Sequence, residues 1–182
     1  MKIEYEARLL NVDVEKFIKL IEEKGAKFVS DSLQIRKCYD FNPPRENSWI
    51  RLRTNGKETT LTIKEVNKQK VDGTKESEIV VSDFAATDEI LNKLGYFSRS
   101  VQENRRIKYF LNDVEIDIDF WPLIPPYVEF EAKNEENIKK ICELLKINYK
   151  NLIFEDVTKI YEKYGIENIE KISNLILENN KK

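Results

Sequence analysis

The sequence predicts an α+β fold built on an antiparallel sheet or barrel, and three observations carry that prediction. Short segments with apolar residues at every second position recur between residues 2 and 132. Turn residues separate several of them closely enough for hairpins, which implies antiparallel pairing. Two stretches of helical spacing interrupt the series, and the pattern turns helical from Asn134 onward. About eight strands of this kind suffice to close a barrel whose interior holds side chains or one small ligand.

The first strand, KIEYEARLL at 2–10, puts Ile3, Tyr5, Ala7 and Leu9 on one face and Glu4, Glu6 and Arg8 on the other. NVDVEKFIKLIEEKGAKF then reads as an amphipathic helix. Val14, Phe17, Ile18 and Ile21 recur at helical spacing, Asp13 caps the start and Gly25 ends it. Alternation resumes over 27–41, 48–54, 58–65 and 76–82, with NPPREN at 42–47, NG at 55–56 and DG at 72–73 as turns. FAATDEILNKLGY at 84–96 reads as a second helix, and strands follow at 99–111, 113–120 and 127–132. The expected division is a barrel domain over 1–133 and a helical segment over 134–182. That segment carries an apolar stripe of Ile138, Ile141, Cys142, Leu144 and Leu145, then Ile160, Tyr161, Ile169, Ile172, Leu175 and Ile176. The stripe would pack on the barrel, cap it, or join two chains as a homodimer. The terminal ENNKK reads as a frayed end.

A length of 182 residues suits one domain with a sizeable core. Charged residues make up 35% of the chain, yet the net charge is −2. Near-neutrality argues against a general nucleic-acid binder, whose affinity rests on a basic excess. The absence of histidine removes His-based triads, imidazole bases and most zinc sites. Cys38 and Cys142 fit no metal or redox spacing and read as buried apolar groups in a reducing compartment. With no cationic-then-apolar leader and no run of 18 apolar residues, the expectation is a cytoplasmic protein with no membrane partner.

Charge sign is sorted along the strands. Arg51 and Arg53 share a face of WIRLR, and Thr60, Thr62 and Lys64 share one of TTLTIKE. Glu76 and Glu78 go together, as do Arg106 and Lys108, then Glu115, Asp117 and Asp119, then Glu129 and Glu131. Any one of these faces alone reads as the wet side of a sheet. Together they do not, because like charges side by side destabilise a sheet unless something neutralises them. Carboxylate rows suit a divalent cation with oxygen ligands, and Arg/Lys rows suit a polyanion such as phosphate. Mg²⁺ is commonly shared between carboxylates and substrate phosphate oxygens, so the combination suits a metal–polyphosphate complex.

These residues resemble the CYTH domain proteins, also called triphosphate tunnel metalloenzymes. That family opens on Glu-x-Glu-x-Lys, and this chain has Glu4-x-Glu6-x-Arg8. WIRLR, LTIKE, KESEI, RRIKY, IDIDFW and YVEFE follow in order, so the resemblance covers residues 1 to about 133. It implies an eight-stranded antiparallel closed β-barrel that binds triphosphate with Mg²⁺ or Mn²⁺. By carry-over, Glu4, Glu6, Glu129, Glu131 and Asp117 would ligate metal. Arg8, Arg51, Arg53, Lys64, Arg106 and Lys108 would hold phosphate. Glu76, Glu78, Asp119 and Lys64 would carry the catalytic work, the carboxylates completing a second metal position or orienting water. Two departures stand out. Asn104 occupies a position expected to be basic, which Arg105 or Lys108 would have to answer, and Arg8 replaces lysine. A guanidinium holds phosphate in a bidentate way but cannot act as a tunable base. In QIRKCYDF, alternation leaves open whether Arg36 or Lys37 points inward.

The resemblance implies a metal-dependent triphosphatase acting on tripolyphosphate, thiamine triphosphate or a nucleoside triphosphate. The alternative is a class IV adenylate cyclase making cyclic AMP and pyrophosphate from ATP. No residues identifiable in the sequence supply an adenine pocket. The cyclases are also expected to carry a further segment ahead of the signature, whereas Glu4 follows Lys2 and Ile3 closely. A non-catalytic polyphosphate- or nucleotide-binding module is the second alternative, and the full acidic set argues against it.

Overall fold

The computed structural model describes residues 1–66, 70–167, 169, 172 and 174–177. In chain order the elements are β1 (Lys2–Leu9), α1 (Val14–Glu23), β2 (Lys27–Tyr39), β3 (Ser48–Thr54), β4 (Thr59–Val66) and β5 (Thr74–Val81). Then come α2 (Phe84–Lys93), β6 (Ser98–Leu111), β7 (Val114–Phe120), β8 (Tyr127–Ala132) and α3 (Glu135–Leu145). A 3₁₀ turn (Tyr149–Asn151), α4 (Val157–Lys163) and the two-residue β9 (Asn174–Leu175) complete the series. The strands run β2-β3-β4-β5-β1-β8-β7-β6, and β6 pairs back to β2, so eight antiparallel strands close a barrel.

The hydrophobic core lies outside this barrel. Ala7, Ile107, Ile116, Ile118, Val128 and Phe130 turn outward against Phe17 and Ile21 of α1 and Ile138 and Ile141 of α3. On the opposite wall, Leu91 of α2 covers Tyr39, Ile50 and Leu52. Because side chains alternate along a strand, helices on the outside oblige the charged set to face inward. The helices are where their caps put them. Asp13 accepts from the Lys16 N–H at 3.2 Å, Asp83 from Ala86 at 2.7 Å and Asn134 from Asn137 at 2.9 Å. Gly25 and Gly56 take the left-handed backbone (φ of 87° and 82°) that ends α1 and turns the β3–β4 hairpin.

The C-terminal segment is helical through α3, the 3₁₀ turn and α4, as expected, and adds short strand pairings to the barrel. Ile153 forms a bridge with Arg8, and β9 pairs parallel to β6 at Val101 and Gln102. The reason is geometric: β7 pairs with β6 only over Arg105–Leu111, which leaves the edge near Val101 open to another strand. Trp121, Ile124 and Tyr127 pack there with Ile160, Tyr161, Ile169 and Leu175 over one end of the barrel. The ENNKK terminus lies outside the described residues. Cys38 and Cys142 are buried free thiols. Among the described residues, no helix is long and apolar enough to cross a membrane.

Candidate active site in the barrel interior

Three charged groupings line the barrel. In the first, Glu4 and Glu6 of β1 meet Glu76 of β5, and one carboxylate oxygen from each lies within 4.8 Å of the others. Strands β1 and β5 are neighbours in the sheet, which is what brings residues so distant in sequence together. Lys64 of β4 sits against this trio, 2.7 Å from Glu76 and 3.3 Å from Glu6. Burial, with Glu76 and Glu131 nearby, pushes Glu4 up to about 9. Burial also opposes ionisation of Glu6, but Lys64 and Arg8 outweigh it and hold that group well below the carboxylate range. Crowded hard carboxylate oxygens of this kind fit Mg²⁺ or Mn²⁺ by donor chemistry.

The second grouping centres on Arg106 of β6. Its guanidinium reaches Asp119 through Nε at 2.8 Å and Nη2 at 2.6 Å, Asp117 at 2.5 Å and Glu129 at 3.2 Å. Asn104 also donates to Asp119 at 2.8 Å. Arg8 joins from β1, with Glu129 at 2.5 Å, Glu6 at 2.7 Å and the Glu155 carbonyl at 2.9 Å. The arginine at position 8 therefore ties the C-terminal segment to the barrel interior.

The third grouping is cationic. Arg36, Arg51 and Arg53 lie together, because Arg36 and Arg53 are register partners in the β2–β3 ladder. Glu78 offsets two of them at length, 3.4 Å from Arg51 and 3.6 Å from Arg53, while accepting from the Thr62 hydroxyl at 2.6 Å, and Arg51 also lies 3.5 Å from Glu76. Crowding by Arg51, together with burial, pushes Arg53 down to about 10.

The structure thus brings together most of the sequence candidates and separates a few. Lys108 pairs with Glu115 at 2.5 Å and Glu131 with Lys2 at 3.4 Å, all of them half-exposed or exposed. Glu131 nonetheless stands near enough to Glu4 to raise it. Arg105 points outward to Asp31 at 2.6 Å and so does not answer for Asn104. Lys37 pairs with Asp88 of α2 at 2.6 Å, which leaves Arg36 as the inward residue. Sequence reasoning named Asn104 as a departure from a basic residue, and the position opposite Gln34 in a long β2–β6 ladder fits its place in the interior, but it missed that of Trp121.

A cavity of about 420 Å³ connects these groupings to one end of the barrel. Glu6, Arg8, Lys64, Arg106 and Glu129 line its interior, while Arg45, Trp49, Arg99 and Asp156 line it as well. That volume suits a small ligand.

A family model described as CYTH domain matches residues 2–170, past the point near 133 where the resemblance ended on sequence. No curated protein matches the chain. Among solved structures, a protein of Pyrococcus horikoshii is similar at 25% identity and a TM-score of 0.68, over 84% of this chain and 94% of that one. Two others are described as putative adenylate cyclases. The one from Vibrio parahaemolyticus is 12% identical with a TM-score of 0.72, over 88% of this chain and 98% of that one. The one from Hippeastrum, described as revealing a dominant triphosphatase activity, is 14% identical with a TM-score of 0.59, over 94% and 99%.

Proposed function

We propose that this chain, which belongs to the CYTH domain family, hydrolyses a small triphosphate with the help of a divalent metal inside its barrel. The observation that carries the reading is the adjacency of the Glu4, Glu6 and Glu76 trio to the cations Lys64 and Arg51, with Glu6, Lys64 and Arg51 lining one cavity. Glu4, Glu6 and Glu76 would hold Mg²⁺ or Mn²⁺, with Glu131 and Glu129 close by. When bound, such an ion polarises a phosphoryl group and aligns its nucleophile.

The protein's own side chains do the rest. Arg51, Arg53, Lys64 and Arg106 neutralise charge on the phosphoryl oxygens and fix the chain of phosphates for in-line attack. Asp117 and Asp119 hold the Arg106 guanidinium in one orientation, and Arg8 bridges Glu6 and Glu129 and offsets their mutual repulsion. Glu78, at the half-exposed edge of the cationic grouping, orients the attacking water. Asp119 serves it only indirectly, because its oxygens already accept from Arg106 and Asn104.

A cyclase is the second reading, favoured by Trp49 in the cavity wall, where an aromatic ring offers a stacking surface for a base. One experiment separates them. Purified protein is incubated with tripolyphosphate, thiamine triphosphate or ATP and Mg²⁺ or Mn²⁺, and phosphate, pyrophosphate and cyclic AMP are measured. Phosphate release that disappears in Lys64→Ala and Glu6→Gln supports the hydrolase. Pyrophosphate with cyclic AMP from ATP replaces it with the cyclase, and binding without any product leaves a module.

A further inference from the structure

Among the described residues, Arg36 is a buried barrel cation that forms no ion pair. Arg8, Lys64 and Arg106 each meet carboxylates within 2.7 Å, and Arg51 and Arg53 share Glu78. The carboxylate that acts on Arg36 is Asp119, which it reaches through Asn104 rather than by direct pairing. Only 7% of it is exposed. Its guanidinium stacks 4.5 Å above the Trp121 ring, and Nη2 donates to the Asn104 Oδ1. Its Nε is buried without an acceptor, as is the Trp121 Nε1. Burial and the neighbouring Arg51, Arg53 and Arg106 push Arg36 down to about 9.

A guanidinium does not shed its proton at neutral pH, so an unpaired one in a dry wall is strained toward any anion that reaches it. The surrounding contacts hold it for that purpose. Asn104 bridges Arg36 to Asp119, which in turn orients Arg106, and the Trp121 face restricts the guanidinium plane. The residue also lines the cavity. Resting on the triphosphate reading above, we propose that Arg36 is a substrate-positioning residue that binds the phosphoryl group lying among Arg51, Arg53 and Arg106. It thereby supplies from β2 the cation that position 104 does not.

The test reads binding apart from turnover. Tripolyphosphate binding is measured by calorimetry in EDTA, and phosphate release is measured with Mg²⁺, for wild type, Arg36→Gln, Arg36→Lys and the double variant Arg36→Gln/Asn104→Lys. Loss of a charged hydrogen-bond donor predicts about a tenfold or greater weakening of binding and a matching rise in KM for Arg36→Gln, with kcat little changed. Arg36→Lys keeps the charge and falls between the two. Moving the cation to position 104 in the double variant restores most of the affinity. Without ligand, Arg36→Gln melts no lower than wild type, because it removes an unpaired buried charge, and tripolyphosphate raises its melting temperature less. Equal tripolyphosphate affinity in wild type and both single variants overturns the proposal, and so does a lower ligand-free melting temperature with unchanged ligand-induced stabilisation. Wild type that binds tripolyphosphate tightly but never cleaves it removes the hydrolase reading and leaves the role of Arg36 standing on the binding data.

Discussion

Lys64 and Glu76 face each other across the β4–β5 ladder as register partners, and their charged atoms meet at 2.7 Å. Lys64 is the one cation among the described residues paired to two members of the carboxylate trio, since it also reaches Glu6 at 3.3 Å. Burial opposes its charge, but Glu6 and Glu76 hold it above its ordinary value. Replacing Lys64 with alanine leaves buried carboxylates without their cation, which destabilises by about 3–5 kcal/mol where no metal is present. Thermal melts in EDTA should show that loss. Adding Mg²⁺ should then raise the melting temperature of Lys64→Ala more than that of wild type.

Glu4 and Glu76 bring carboxylate oxygens together with Glu6, and each should strengthen the hold on a divalent ion. Glu4→Gln and Glu76→Gln are therefore expected to weaken Mn²⁺ binding by at least about tenfold each, a loss comparable with that from disturbing the surroundings of metal ligands. Calorimetric titration with Mn²⁺ measures it. Glu115→Gln, which changes a residue paired with Lys108 at the half-exposed rim, should bind Mn²⁺ as wild type does.

Arg8 makes a contact that a lysine cannot reproduce in full. Its guanidinium serves Glu6, Glu129 and the Glu155 carbonyl at once. Arg8→Lys keeps the charge but drops at least one of these bonds, for a destabilisation of about 1–2 kcal/mol. The loss should concentrate in the C-terminal segment. Amide exchange at Ile153, whose N–H bonds the Arg8 carbonyl at 2.9 Å, should quicken before that of β8.

Outside the barrel, Asp88 of α2 accepts from Lys37 at 2.6 Å and from the Tyr39 hydroxyl at 2.7 Å. Burial opposes its ionisation, but these donors outweigh it and hold the carboxyl below its ordinary value. A depressed acid contributes stability that is complete above its unfolded value, near 3.8, and fades as pH falls through the folded value. Asp88→Asn should cost about 1 kcal/mol at pH 7. The gap between the two proteins in urea titrations should narrow as pH falls below 3.8 and close once the folded-state carboxyl is protonated.

Much of this architecture was legible in the sequence because alternation and sign sorting are strong, local signals. Glu4, Glu6 and Arg8 at one spacing, and Arg51 and Arg53 at the same spacing, each mark a shared face, and the sorting of sign across several strands points those faces inward. The choice between Arg36 and Lys37 was not legible, because β2 carries irregularities between Phe28 and Ser30 and between Cys38 and Tyr39 that break the parity. The grouping of Glu76 with Glu4 depends on β1 lying between β5 and β8, a choice of neighbours that no local pattern encodes. The two-residue β9 is too short to have a period at all.

The central claim is that carboxylates and cations around one cavity hold a metal and a triphosphate together. Crystals grown with Mn²⁺ and a non-hydrolysable tripolyphosphate analogue test it most directly, through the anomalous signal of the ion. The account predicts a manganese peak among Glu4, Glu6 and Glu76, with phosphate density running to Lys64, Arg51 and Arg53. Manganese bound only at exposed carboxylates, with no phosphate density in the barrel, would contradict it.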